Sequence, residues 1–435
     1  MHSPSSREEA APNPFFHRGP VHDPAYFFGR SADAGFLASM LRQGQCVAVS
    51  GPRRIGKTSL LFHLAHPHVA AAHGLSPDTT TWAYLDGGAL EGLDETWLYG
   101  AADRALGGAD DAIPYARFVE RLRELAAAGR RLVLALDEFE LFAANRRLGP
   151  APFNRLRALS AQLPLQFVTA SKDPLVALTF AHPDTLASPF FNIFAPLSLG
   201  LLSDAEADGM LAMLSARGGR GFGPATRAFL LGLAGPHPLF AQVAGYRAFA
   251  ALRETQDGEL AAAGRELVRA QTQSDLDSHL RYYWGGLDAE ARYTLAALPL
   301  LAQGARTPAA ERLAAEGLLR GVAYLGDALE TFVRRQEVAG LLQGGPFIID
   351  LRRGQVATRQ GPVHLTPTER AALTLLLQHR GQVLAPEAIE AALWPGEASP
   401  DPERARGVMK KLRAALGPAG AAIVNRRGQG YMLQV

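Results

Sequence analysis

Cysteine is all but missing from this chain: there is one, Cys46, in 435 residues. That count excludes a disulfide framework and a cysteine-based zinc site. No run of about 18 apolar residues is free of charge, so no membrane-spanning helix is expected. The opening MHSPSSREEAAPNPFF has no apolar segment after a basic start, and no secretory signal is expected there. Repeats of solenoid period are absent as well. These absences together give the expectation of a soluble, cytoplasmic protein without a membrane partner.

Apolar residues are plentiful, at 48 %. The length suits two to four domains at roughly 100–200 residues each. Charge is unevenly placed. Between Pro346 and Val435 there are 12 Arg or Lys against 7 Asp or Glu, a net +5; the rest of the chain holds 32 against 35, a net −3. A basic tail on a near-neutral body is a hint of nucleic acid, and equally the pattern of a solvated surface.

Apolar runs of strand length fall at 46–50, 82–85, 132–136 and 166–169, with a weaker one at 192–195. Helical patterns at 32–42, 116–128 and 153–162 separate them. Strands alternating with helices predict an α/β fold whose parallel sheet is covered on both faces. Beyond Ser203, an N-cap candidate followed by Asp204 and Glu206, helical spacing dominates to about residue 339. Strands return at 347–350 and 355–358, after Gly344-Gly345-Pro346.

Gly51-Pro-Arg-Arg-Ile-Gly56-Lys57-Thr58 fits G-x-x-x-x-G-K-[ST] without a mismatch, between a strand and an apolar helix. Glycines let such a loop wrap phosphates with inward backbone N–H groups, and the helix N-terminus adds positive potential. Lys57 then reaches the β- and γ-phosphates as a catalytic cation, and Thr58 offers a hydroxyl to Mg²⁺. Arg54 in the loop and Ser59 just after it join the nucleotide contacts. A buried strand ends in Asp137 and Glu138. Asp137 suits Mg²⁺, and Glu138 suits the general base that polarises an attacking water. Thr169 and Ser171 close another strand, where a polar group reports on the γ-phosphate or simply begins a loop. ATP and Mg²⁺ are the expected cofactors.

The elements Asn13-Pro-Phe, Arg18-Gly-Pro20, Phe27-Phe-Gly29-Arg30 and Gly51 to Ser59 resemble bacterial STAND-class NTPases, relatives of the AAA+ and origin-recognition ATPases. The resemblance implies Phe27 and Arg30 beside the base. It also implies a helical lid whose turn, Gly235-Pro236-His237-Pro238, brings His237 and Pro238 near the nucleotide. A winged-helix portion follows at about 282–319. No arginine stands at 169–172, where many relatives carry a sensor. Arg146, Arg147 and Arg155 are candidate arginine fingers without decisive context, so slow ATP hydrolysis is expected.

At the C-terminal end, Thr366 and Glu369 have capping-box spacing ahead of a helix over 370–379. Helices at 386–393 and 402–416 and a hairpin at 423–433 follow. In the third helix Val408, Leu412 and Leu416 are expected to face the core. Leu365-Thr-Pro-Thr-Glu369, Gly381-Gln-Val383, Leu393-Trp394, Lys411-Leu-Arg413-Ala-Ala-Leu416 and Arg427-Gly-Gln-Gly-Tyr431 resemble the OmpR/PhoB-type winged helix-turn-helix. That implies a recognition helix within 402–416 and a wing at 423–433. Arg404, Arg406 and Lys410 would face bases, with Lys411, Arg413, Arg426 and Arg427 nearer phosphates of double-stranded DNA.

The expected organisation is an N-terminal segment (1–24), a P-loop NTPase core (25–200), a helical lid (201–250), a helical or winged-helix-like region (251–345) and a winged helix-turn-helix (346–435). The function expected is ATP-dependent, DNA-binding transcriptional regulation, with homo-oligomers forming in the ATP-bound state. The alternative is a DNA-processing or defence-related ATPase that uses the winged helix as an anchor.

Overall fold

Continuous apolar runs too short for helices make strands buried on both faces. In a computed structural model of the chain they do so here. The structure describes residues 12–15, 19–183, 189–252, 258–301, 307–396 and 401–434. Residues 1–11 of the expected N-terminal segment and Arg18 of the Arg-Gly-Pro element lie outside the described residues. Two compact units divide the chain: Met1–Arg269 with Ala315–Gly317, and Ala270–Ala314 with Leu318–Val435.

The first unit carries β1 (Cys46–Ser50), β2 (Thr80–Asp86), β3 (Arg131–Asp137), β4 (Leu165–Ser171) and β5 (Phe194–Ser198). They form one parallel sheet in the order β2-β3-β4-β1-β5. Helices α1 (Ser31–Arg42), α2 (Lys57–Ala65), α3 (Pro67–Ala72), α4 (Glu95–Ala105), α5 (Tyr115–Ala127), α6 (Phe139–Ala144), α7 (Ala151–Ser160) and α8 (Leu175–Ala181) connect the strands. The period-two pleat splits the core. Val47, Val49, Val133, Ala135, Val168 and Ala170 pack with Leu37 and Leu41 of α1 and Leu60 and Leu64 of α2. The alternate residues Ala48, Leu134, Leu136 and Phe167 pack with Phe118 of α5, Phe139 of α6 and Phe153 of α7.

A three-helix module follows: α9 (Asp204–Arg217), α10 (Pro224–Ala234) and α11 (Pro238–Ala251). Its first helix starts where Ser203 predicts. The Ser203 hydroxyl accepts the Glu206 amide, and the Glu206 carboxylate accepts the Ser203 amide in return. Such a cap is worth about 1 kcal/mol. Helix α12 (Ala262–Gly286) comes next.

The second unit continues with α13 (Ala289–Ala296), α14 (Pro308–Ala315), the short hairpin β6 (Leu319–Arg320) and β7 (Ala323–Tyr324), and α15 (Asp327–Val333). Strands β8 (Leu341–Gly344), β9 (Phe347–Asp350), β10 (Gln355–Thr358) and β11 (Gly361–Val363) make an antiparallel sheet in the order β11-β10-β9-β8. The division expected between residues 345 and 346 falls in the turn joining β8 to β9. Upstream helix and sheet are also bonded: Tyr293 of α13 donates its hydroxyl to Asp350 Oδ2 at 2.5 Å. The backbone amides of Arg352 and Arg353 donate to Oδ1 of the same buried carboxylate.

The chain ends with α16 (Pro367–Gln378), α17 (Pro386–Leu393), α18 (Pro402–Ala415) and the hairpin β12 (Ile423–Arg426) and β13 (Gly430–Leu433). The Thr366–Glu369 capping box forms as its spacing predicts. Among the described residues, no helix is long and apolar enough to cross a membrane.

Candidate functional site

The loop after β1 wraps tightly because its glycines permit it. A Cβ on Gly51 would stand 2.3 Å from the Leu199 carbonyl oxygen, so only glycine fits there at φ 152°. Gly56, at φ 105°, hands the loop over to α2. Arg54 is exposed and holds a left-handed φ of 63°. Lys57 turns back and donates to the carbonyls of Gly51 and Pro52 at 2.8 and 2.9 Å. Burial pushes its pKa down, while Glu140, Asp137 and Glu138 oppose that shift.

Strand β3 brings Asp137 to the same place. It is 3 % exposed. Its Oδ2 accepts the Thr58 hydroxyl at 2.7 Å and the Tyr84 hydroxyl at 2.8 Å, and its Oδ1 accepts the Glu138 amide at 3.0 Å. The two residues expected to hold Mg²⁺ are therefore in contact. Their hard oxygen donors suit that ion, which takes its remaining ligands from phosphates and water. Next in the chain, Glu138 is exposed and left-handed at φ 50°, a conformation that turns it out of the strand. Burial, then the charges of Asp86, Asp137 and Glu140, push its pKa above the usual glutamate range.

Sequence reasoning missed Tyr84, Asp86 and Glu140. Tyr84 lies two residues before the end of β2, and the β2–β3 register sets Asp86 opposite Asp137. Gly87 allows these strand ends to close up: a Cβ there would stand 2.6 Å from the Glu138 carbonyl oxygen. The available signal was Asp86-Gly87-Gly88 at the carboxyl end of a parallel strand, the edge where such sheets place ligands.

Other expected contacts are arranged differently. Thr169 is fully buried and shares the sheet face of Phe167, Leu136 and Ala48, not the α2 face that carries Asp137. The pleat thus sets it on the face opposite the one that carries Asp137 and the α2 packing. Ser171 closes β4 and gives its hydroxyl to the Asp173 carbonyl at 2.6 Å. Ser59 accepts the Val21 amide at 3.0 Å. Arg30 is buried and donates to the carbonyls of Ile55 (3.1 Å) and Gly200 (2.5 Å). It therefore buttresses the loop from behind, where a base contact was expected. Phe27 stacks on His63 of α2, ring centroids 4.1 Å apart. His237 is 1 % exposed and stacks on Phe240 at 4.4 Å, inside the three-helix module, directly before Pro238 opens α11. Of the candidate fingers, Arg155 is bound to Glu95 at 2.7 Å and covers the Tyr115 ring, whereas Arg146 and Arg147 are exposed.

In the second unit α18 buries Ala405, Met409 and Leu412, and the capping residue Leu416 after it, against Leu373, Leu377 and Ile389. Val408, expected in that row, is only partly buried at its flank, because Met409 takes the central position. Arg404, Arg406, Lys410, Lys411 and Arg413 are all exposed. Arg404 lies over the Trp394 ring at 4.1 Å, and Arg406 pairs with Glu403 one turn back. Arg426 and Arg427 sit at the exposed tip of the β12–β13 hairpin. Tyr431 bridges to Leu384 and so fixes the base of that hairpin.

Comparison with known proteins agrees with both parts. The family described as "Transcriptional regulatory protein, C terminal" matches residues 360–433. "Novel STAND NTPase 2" matches residues 112–298. The two-component response regulator PhoP of Pseudomonas aeruginosa is 32 % identical over 108 residues, 24 % of this chain and 48 % of that protein. The regulatory protein AfsR of Streptomyces griseus is 31 % identical over 193 residues, 42 % of this chain and 19 % of that protein. The chain thus spans about half the length of the first relative and about a fifth of the second. A Walker-type ATPase of Pyrococcus abyssi shares the fold, with a TM-score of 0.52 at 14 % identity over 74 % of this chain and 99 % of that one. The chain carries a STAND-type NTPase domain and an OmpR/PhoB-type winged helix-turn-helix.

Proposed function

We propose that this protein is an ATP-dependent transcriptional regulator in which nucleotide binding and slow hydrolysis switch self-association and DNA binding. The observation that carries the reading is the Thr58–Asp137 contact beside Lys57, on a chain that also presents a cationic recognition helix and wing. The curated relatives are named as regulators, which supports a regulatory output over a purely catalytic one.

Mg²⁺, when bound, neutralises charge developing between the β- and γ-phosphates. The chain's own residues do the rest. Loop amides between Gly51 and Lys57 cradle the phosphates, and Lys57 exchanges its two carbonyl partners for phosphate oxygens. Thr58, through its hydroxyl, and Asp137, through its carboxylate, are the residues that would hold the metal. Glu138, directed outward by its left-handed backbone, takes a proton from the attacking water. On DNA, Lys410 and Arg406 face base edges from the outer surface of α18. Arg404, which lies over the Trp394 ring, reads bases beside them, and Lys411, Arg413 and the hairpin pair Arg426 and Arg427 neutralise phosphates.

Footprinting of the full chain on genomic DNA tests the reading, in the empty, ADP-bound and ATP-bound states. Sites protected only with ATP are the expected result. Equal protection in all three states overturns the switch. Rapid, DNA-stimulated turnover with little sequence preference would instead favour a DNA-processing enzyme.

A further inference from the structure

The Asn13-Pro-Phe element has no part in the chemistry above, yet it is deeply built in. Phe15 is 2 % exposed. Its ring stacks on Phe222 with centroids 5.3 Å apart, and Phe249 of α11 closes the socket at 6.3 Å. Two glycines make the room. A Cβ on Gly245 would stand 2.5 Å from the Phe15 ring, and one on Gly218 would stand 3.0 Å from Pro14. Asn13 donates its side-chain amide to the Tyr246 carbonyl at 2.9 Å and accepts the Phe15 amide at 3.1 Å. This short piece therefore touches the end of α9, the approach to α10, and α11.

Val21 to Arg30 then pass between the same module and the phosphate loop. The Val21 amide is held by Ser59 of α2, and the His22 ring packs at a tilt against Phe62 of that helix, centroids 4.3 Å apart. Tyr26 and Phe28 lie under the guanidinium of Arg217 at the end of α9. The Arg30 amide donates to Glu206 of α9 at 2.9 Å, while its side chain holds the Ile55 carbonyl inside the loop. Module and loop are thus tied to one another by alternate contacts along a single stretch of backbone.

We infer that Asn13–Phe15 and Val21–Arg30 form a brace that sets the three-helix module against the phosphate loop, with Phe15 as its positioning residue for nucleotide binding. The inference rests on the nucleotide reading above for its consequence, but its geometry exists without nucleotide. The pin is buried in the module, and the module in turn grips Tyr26, Phe28 and the Arg30 amide through Arg217 and Glu206, so displacement passes along these contacts to the segment anchored on α2. Loosening the pin must therefore reach the first turn of α2.

Hydrogen exchange on the nucleotide-free full chain tests this. Phe15→Ala is expected to speed exchange in α9–α11 and also at Val21 and in the first turn of α2. Gly245→Ala, which drives a methyl group into the ring, should do the same alone and add little to Phe15→Ala. Phe15→Leu, which refills the socket, should restore protection at both ends. If Phe15→Ala unfolds, Asn13→Ala supplies a milder loosening with the same expected pattern. With ATP, the loosened variants should bind at least about fivefold more weakly while kcat is largely kept. Faster exchange confined to α11, or losses from Phe15→Ala and Gly245→Ala that simply add, overturn the brace. A native protein that binds no ATP would sink the nucleotide reading alone, since the exchange pattern decides the brace independently.

Discussion

Tyr84 donates its hydroxyl to the same Asp137 oxygen that accepts Thr58, at 2.8 Å. The phenol is itself held by packing on Phe62, ring centroids 4.7 Å apart. Partners of this kind fix a metal-ligating carboxylate and typically matter about 10–100-fold in metal affinity. Tyr84→Phe keeps the ring and removes only the donor. It should raise the Mg²⁺ concentration needed for half-maximal ATPase rate about tenfold, with the fold intact. An unchanged Mg²⁺ titration would show that Asp137 is positioned without Tyr84.

Lys57→Ala should abolish ATP binding, because the ammonium that turns back onto the Gly51 and Pro52 carbonyls is the cation placed to exchange them for phosphate oxygens. Calorimetric titration reads this directly. Nucleotide affinity equal to that of the native chain would refute the phosphate-loop assignment.

Glu138→Gln should keep ATP binding and slow hydrolysis about 10²–10⁴-fold, the usual worth of a general base. Burial and the neighbouring acids raise this carboxyl's pKa, and only the ionised form works as a base. The rate should therefore fall on acidification at a pH above the ordinary glutamate range. Asp86→Asn removes one repelling charge, so that acidic limb should move to lower pH. A rate–pH profile identical to the native one in Asp86→Asn would disconnect Asp86 from the base.

Arg427→Ala should weaken DNA binding uniformly across sequences and reduce the log–log salt slope by about one unit. Arg406→Ala should instead relax base preference at one position. Fluorescence anisotropy over a salt series separates the two behaviours. A salt slope left unaltered by Arg427→Ala takes that residue off the phosphate contacts.

The four stronger strand runs expected in the first unit form, since runs such as Leu132–Leu136 have no other way to bury both faces. The weaker one at 192–195 is displaced: Asn192 and Ile193 lie in a 3-10 turn, and β5 runs Phe194–Ser198. The phosphate loop and the strand ending in Asp137 were equally legible, because each is a contiguous motif on its own. Tyr84 and Asp86 were not, because only strand register across some fifty residues places them beside Asp137. Thr169 stands at a suitable position in the chain, but only the pleat shows that it shares the face of Phe167 and Leu136 and not that of Asp137. Ser59 and Arg30 carry the residue types of ligand contacts but spend them on Val21, Ile55 and Gly200. Helix α4 went unread: its apolar row, Leu98, Tyr99 and Ala102, is too short and mixed to show a clear period.

Strand β8 has a practical bearing on dissecting the molecule. It supplies the outer partner of β9, whose Phe347, Ile348, Ile349 and Asp350 are all buried. A fragment cut at residue 346 would strip that partner and leave a naked, greasy flank of unsatisfied amides and carbonyls. Such a flank recruits the same flank of another copy, and the fragment would clump. Isolating the DNA reader in tractable form means starting upstream of Leu341, and keeping Tyr293 as well if Asp350 is to retain its phenolic partner.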